Sequence, residues 1–182
     1  MRVIAGTARG RRLKGPDDRS RLTRPTSDML RGAIFSALTS LDVRLELVLD
    51  LYAGSGALGV EALSRGAGAC DFVESHRRAC AVIRQNLLIT GFQERSRVFC
   101  IDASRAVERL DGQYTLVLAD PPYEDTGAWS VLERLAASRL VASAGIIAIE
   151  HAGRLNPPPQ LGPLLLVNSR RHGDSAASIY RR

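Results

Sequence analysis

Cysteine is scarce in this chain: Cys70, Cys80 and Cys100 are the only three among 182 residues, and no two stand at C-x-x-C spacing. That excludes a disulfide framework and a metal knuckle of that type, and it favours a reducing compartment. Long hydrophobic runs are also missing, since no apolar stretch approaches the roughly eighteen residues of a membrane span. Met1-Arg2-Val3-Ile4 leads into arginines rather than into the apolar core of a secretory leader. A cytoplasmic protein with no membrane partner is expected. Lysine is nearly absent too, Lys14 being the sole one among 25 basic residues. The positive charge is therefore carried by arginine, which favours planar, bidentate phosphate contacts.

What the chain does contain is 45% hydrophobic residues, enough to bury a real core in one domain with an appendage. Its formal net charge of +6 is concentrated at one end. Residues 1–31 hold Arg2, Arg9, Arg11, Arg12, Lys14, Arg19, Arg21, Arg24 and Arg31 against Asp17, Asp18 and Asp28. The rest of the chain is neutral. A neutral body with a basic N-terminal segment is the footprint of a polyanion-binding protein.

Within that segment, residues 6–13 predict a short hairpin or an arm that orders on binding. Pro25-Thr26-Ser27-Asp28 predicts a helix start with Ser27 as N-cap, after which Leu30, Ile34, Phe35 and Leu38 form one apolar stripe. From residue 47 strand and helix alternate: strands at 47–51, 71–74, 98–101, 115–119 and 145–150, with helices at 57–65, 75–90, 103–110 and 126–140 between them. This predicts an α/β fold, a doubly wound parallel sheet with helices on both faces. Prolines 157–159 break the pattern. Residues 164–168 and 175–180 then predict a closing antiparallel hairpin.

Asp50-Leu51-Tyr52-Ala53-Gly54-Ser55-Gly56-Ala57-Leu58-Gly59 follows a strand and opens a helix, the setting a nucleotide-binding glycine turn requires. Glu74, twenty residues after Gly54, is placed to accept from both ribose hydroxyls, and Asp102 to reach the base at the same crevice. The spacing also fits a nicotinamide dehydrogenase. Against that, the chain after the fourth strand is used up in completing the sheet, and a carboxylate at Asp50 suits a cationic ligand better than a pyrophosphate. S-adenosylmethionine is such a ligand.

Asp120-Pro121-Pro122-Tyr123 falls at the carboxyl end of the fourth strand, beside that crevice. Pro122 fixes φ and donates no backbone hydrogen bond, so the Asp120 carboxylate and the Pro121 carbonyl can face one pocket. Two acceptors then meet the two hydrogens of an exocyclic amine, and Tyr123 offers a ring for a flipped base to stack on. The chemistry asks for alignment of the amine and loss of its proton, without a metal or a covalent enzyme intermediate.

The pair of segments 52–56 and 120–123 resembles the class I S-adenosylmethionine-dependent methyltransferases that modify exocyclic amines. Gly6-Thr7-Ala8-Arg9-Gly10-Arg11-Arg12-Leu13, Arg24-Pro25-Thr26-Ser27-Asp28 with Arg31, residues 50–67, and Gly173-Asp174-Ser175 with Tyr180 narrow the resemblance to the RsmD family, over nearly the whole chain. Gly32 and His172 depart from the family pattern. The resemblance implies a Rossmann-like seven-stranded sheet and methyl transfer to the exocyclic N2 of guanine 966 in 16S ribosomal RNA. It implies that Asp120, Pro121 and Tyr123 act on the target base. Asp50, Tyr52, Gly54, Ser55, Gly56, Glu74, Asp102 and Ala103 would bind S-adenosylmethionine. Arg9, Arg11, Arg12 and Arg24 would hold RNA phosphates, with 16S RNA or the small subunit as partner to a monomer. The division expected is an RNA-binding extension plus helix at 1–40 and a methyltransferase domain at 41–182.

The same tetrapeptide serves DNA methylation at adenine N6 or cytosine N4, but the separate target-recognition domain that DNA modification needs is not expected here. A binding protein that kept the fold without catalysis is a further alternative. His76, His151 and His172 do not cluster as a catalytic or metal set and are expected to be surface or structural residues. Trp129 is expected to pack.

Overall fold

The computed structural model describes residues 1–15 and 28–182. The helix-start signal at Pro25, Thr26 and Ser27, and Arg24 itself, lie outside the described residues. The elements run α1 (Asp28–Ser40), β1 (Leu47–Leu51), α2 (Ala57–Ser64), β2 (Ala69–Val73), α3 (Arg77–Thr90), β3 (Ser96–Phe99), α4 (Ala103–Arg109), β4 (Tyr114–Ala119), α5 (Ala128–Ala137), β5 (Val141–Ala152), β6 (Gln160–Leu161), β7 (Leu164–His172) and β8 (Ser175–Arg181). One sheet has the order β3-β2-β1-β4-β5-β8-β7-β6. The first five of these strands are mutually parallel; β8 returns antiparallel to β5 and to β7.

The sheet has eight strands where seven were expected. The additional one is the two-residue β6, which follows the prolines. Gly162, with φ 54, turns the chain so that Leu161 pairs with Leu164, and both side chains are buried. Strand β5 begins at Val141, earlier than expected, because Tyr114 pairs with Val141 and a register shift after Tyr114 absorbs the mismatch. α5 is correspondingly shorter than the expected 126–140, starting after Gly127 and ending before the extended Ser138.

Why the parallel strands read as apolar runs is plain from their burial. Val48, Leu116, Leu118, Ile146 and Ala148 pack on one face with α1 and α2, while Leu49, Leu51, Val117, Ala119, Ile147 and Ile149 pack on the other with α4 and α5. Helix α1 buries Leu30, Ile34, Phe35 and Leu38, the expected stripe, and Arg31 with them. Trp129 sets its ring edge against His151 and Tyr180, at centroid distances of 5.8 and 6.5 Å. Among the described residues no helix is long and apolar enough to cross a membrane.

Residues 1–13 of the basic segment form a short hairpin: Arg2 and Arg12 bridge, Val3 donates to the Arg11 carbonyl (3.0 Å) and Gly10 to the Val3 carbonyl (2.9 Å). Val3, Ala8 and Leu13 are buried in the same cluster as α1 and α2. Two buried side chains hold the hairpin in place. Glu61 accepts the backbone N–H of Ile4 (2.8 Å) and of Ala5 (3.0 Å), and Asn86 accepts from the Lys14 N–H (2.8 Å) while donating to the Lys14 carbonyl (3.0 Å). At Gly6, with φ 83, an added Cβ would fall 1.8 Å from the Ser64 carbonyl oxygen, so only glycine lets the hairpin lie this close to α2.

Candidate active site

Right-handed crossovers leave a crevice beyond the carboxyl ends of parallel strands, at the point where strand order reverses. Here that point lies between β1 and β4, and a cavity of about 660 Å³ opens there. Its walls bring together Tyr52, Gly54 and Ser55 after β1, Glu74 after β2, Asp102 and Ala103 at the start of α4, and Asp120, Pro121 and Tyr123 after β4. Nine of the expected site residues thus share one wall system, from four separate segments.

The loop from β1 to α2 is held in an unusual backbone path. Tyr52 (φ 64), Gly54 (φ 55) and Gly56 (φ 78) are all left-handed. For a bulky tyrosine this stores about 1–3 kcal/mol of strain, which surrounding bonds must hold. They are present: Ala53 donates to the Val73 carbonyl (2.9 Å), Gly56 to the Ala53 carbonyl (2.7 Å), and Gly54 to Glu74 Oε2 (2.9 Å). Gly59 serves packing, since a Cβ there would lie 2.4 Å from the Phe72 ring.

Asp50 and Gly56 stand outside the cavity walls. The Asp50 carboxyl is buried beneath the loop, where Oδ2 accepts the Gly59 N–H (2.8 Å). Burial drives its pKa up to about 8, against the lowering effect of that bond, with a further rise from nearby Glu74. It thus fixes the first turn of α2 from behind. Gly56 takes the N-cap position of the same helix.

Glu74 Oε1 accepts the His76 N–H (2.7 Å) and approaches His76 Nδ1 (3.1 Å), so the carboxylate is oriented from β2, α3 and the glycine loop at once. His76, expected to be a surface or structural residue, is exposed yet forms part of the cavity wall. Asp102 caps α4, accepting from Ser104 Oγ (2.7 Å) and the Arg105 N–H (3.0 Å), and these bonds hold its pKa below the usual value.

The segment after β4 closes in a turn in which Asp125 donates to the Pro122 carbonyl (2.9 Å). Its tip is anchored: the Tyr123 hydroxyl lies 2.6 Å from Ser175 Oγ and donates to Glu150 Oε1 (3.3 Å). Burial, the nearby Glu150 and Asp120 charges outweigh the Ser175 bond and raise the phenol pKa, so Tyr123 stays a donor. Glu150 was not anticipated from the sequence. It is 4% exposed and forms part of the cavity wall, two residues before the end of β5. Reading it required the register of β4 against β5, which pairs Ala119 with Ile149 and so sets Asp120 beside Glu150.

Of the expected RNA-contacting arginines, Arg9, Arg11 and Arg12 are exposed on the hairpin, and the Arg11 guanidinium donates to the Ile89 carbonyl at the end of α3. Arg31 does not contribute to that surface. It is fully buried, donating to the Arg2 carbonyl and paired with Asp28 (2.8 Å) and Glu61 (3.7 Å). Asn86 also donates to the Ser55 carbonyl (2.9 Å), so one side chain touches both the hairpin and the glycine loop.

A family profile described as "Conserved hypothetical protein 95" matches residues 1–181. The chain is similar to YlbH of Bacillus subtilis, 31% identical over 185 residues that span 100% of this chain and 99% of that protein. Ribosomal RNA small subunit methyltransferase D of Escherichia coli is 30% identical over 182 residues, spanning 100% of this chain and 90% of its own. The solved structure of yhhF from Escherichia coli superposes with a TM-score of 0.86 at 29% identity, covering 100% of this chain and 97% of that one. A match along the whole chain, carried by relatives covered over nine-tenths or more of their length, means that this protein belongs to the RsmD family of class I methyltransferases.

Proposed function

We propose that the protein transfers a methyl group from S-adenosylmethionine to the exocyclic N2 of guanine 966 in 16S ribosomal RNA. The observation that carries this reading is the meeting of residues 120–123 with the glycine loop and Glu74 in one cavity. The name of the Escherichia coli relative, a ribosomal RNA small subunit methyltransferase, supports RNA as the substrate class.

The donor set suits such a cofactor. The Glu74 carboxylate faces the cavity for ribose hydroxyls, Gly54 has open space where a side chain would stand, and the Asp102 and Ala103 segment borders the same space for an adenine. The volume lies within the roughly 300–1,000 Å³ range of ligand sites. Tyr52 and Ser55 complete that side, with Asp50 and Gly56 acting from behind the loop. When bound, S-adenosylmethionine supplies an electrophilic methyl group on a positively charged sulfur.

The chain's own residues do the rest. Asp120 and the Pro121 carbonyl accept the two N–H bonds of the target amine and turn its lone pair toward the methyl. As the amine becomes positively charged, the Asp120 carboxylate stabilises it and accepts the departing proton. Tyr123, fixed by Ser175, stacks on the extruded base. Arg9, Arg11, Arg12 and Arg24 hold backbone phosphates, and residues 1–40 form the RNA-binding extension to the catalytic domain at 41–182. The protein acts as a monomer in the cytoplasm.

Methyl-labelled S-adenosylmethionine is incubated with the protein and, separately, unmodified small subunits, free 16S RNA or duplex DNA, and the labelled nucleoside is identified. N2-methylguanosine at position 966 from the ribosomal substrates is expected. N6-methyladenine or N4-methylcytosine from DNA, or no label, would overturn the proposal.

A further inference from the structure

The glycine loop, Glu74 and Asp102 account for one side of the cavity, and the segment 120–123 for the amine. Nothing in that division uses Glu150, a buried carboxylate in the cavity wall near the end of β5. Its place is set by the sheet. Because Ala119 pairs with Ile149 in parallel register, Glu150 is the next residue on β5 and Asp120 is the first residue beyond β4, on neighbouring strands about 4.8 Å apart. Both residues line the cavity. The Tyr123 hydroxyl, donating to Glu150 Oε1 at 3.3 Å and held by Ser175, fixes that carboxyl relative to the stacking ring. Two acid side chains thus stand next to each other beside one aromatic ring.

We infer that Glu150 is the residue that selects guanine, by accepting the N1–H of the base whose N2 amine is held by Asp120. Resting on guanine N2 as the acceptor, this deepens the proposed function. Guanine presents N1–H and N2–H2 as neighbouring donors along one edge, and two neighbouring carboxylates are their complement. Adenine carries a lone pair at N1 beside its N6 amine, so the same pair of residues would set a carboxylate against an acceptor. A buried acceptor facing an acceptor is the arrangement that discriminates strongly, by leaving polar groups unpaired. The tetrapeptide supplies acceptors for an amine of any base; the β5 carboxylate supplies the choice among them.

The test uses 16S RNA carrying either guanine or 2-aminopurine at the target position. 2-Aminopurine keeps the N2 amine but has a lone pair at N1. Wild-type protein is expected to favour guanine by at least about a hundredfold in kcat/KM. Glu150→Gln, whose amide can donate to that lone pair, is expected to shrink the ratio at least tenfold while S-adenosylhomocysteine affinity by calorimetry stays within about threefold. An unchanged ratio in the variant overturns the assignment, and so does a wild-type ratio near one, which needs no variant to fold. Absence of wild-type methylation on the guanine RNA would instead refute the N2-guanine reading on which it rests.

Discussion

At the scale of single residues, the cavity divides into side chains that face it and side chains that hold those in place. Asp120 and Glu74 both face it from different strands, so their substitutions should separate. Asp120→Ala is expected to reduce methyl transfer by at least about a hundredfold with cofactor affinity kept within a few fold. Glu74→Ala should weaken S-adenosylmethionine binding by about tenfold or more, read by calorimetry. Asp50 belongs to the supporting set, and its ionisation has a different readout. Its pKa is raised from 3.8 to about 8 on folding, so between those values the native state binds more protons than the unfolded state. Stability from this group therefore falls as pH rises through that window. Asp50→Asn keeps an acceptor for the Gly59 N–H and should flatten the decline, measured as urea-unfolding free energy from pH 5 to 8.

At the scale of elements, the alternation of apolar strands and helices was legible because glycine, proline and polar turns punctuate it. Glycine positions 54, 56 and 59 told their own story, as each requires a left-handed backbone or a close approach. Less legible was the docking of the N-terminal hairpin. Glu61 and Asn86 look like ordinary helix-surface residues in the sequence, and only tertiary packing turns them inward as acceptors for Ile4, Ala5 and Lys14. Arg31 was counted with the basic segment for the same reason. Glu150 was missed because in the sequence it reads only as the last residue of a strand; its importance comes from Asp120, thirty residues earlier and just beyond β4. Glu61 is the test of the hairpin's attachment. It accepts from two backbone N–H groups and pairs with Arg31 and Arg65 (2.7 Å), so Glu61→Ala leaves buried donors without an acceptor. A loss of about 3–5 kcal/mol is expected, seen as a drop in Tm of at least about 5 °C by calorimetry.

At the scale of the whole molecule, the asymmetry of charge persists in the fold, though less of it is available than composition suggested. Arg9 and Arg12 remain on the exposed hairpin, whereas Arg31 is spent inside. If the exposed pair contacts phosphates, Arg9→Ala with Arg12→Ala should weaken RNA binding and reduce the slope of log affinity against log salt by about two. An unaltered slope, measured by filter binding over a salt series, would mean these charges are only solvated.

The order of strands carries a temporal consequence. β8 lies between β5 and β7 in the sheet, yet follows both in the sequence. A nascent chain that has emerged only through β7 already carries Asp120, Pro121 and Glu150 but not Ser175, the residue against which the Tyr123 hydroxyl rests. Emergence proceeds from the N-terminal end. The N-terminal hairpin is therefore made first and the Tyr123 ring is secured last, so, under the proposed function, an incomplete polypeptide would meet RNA before it is equipped to modify it.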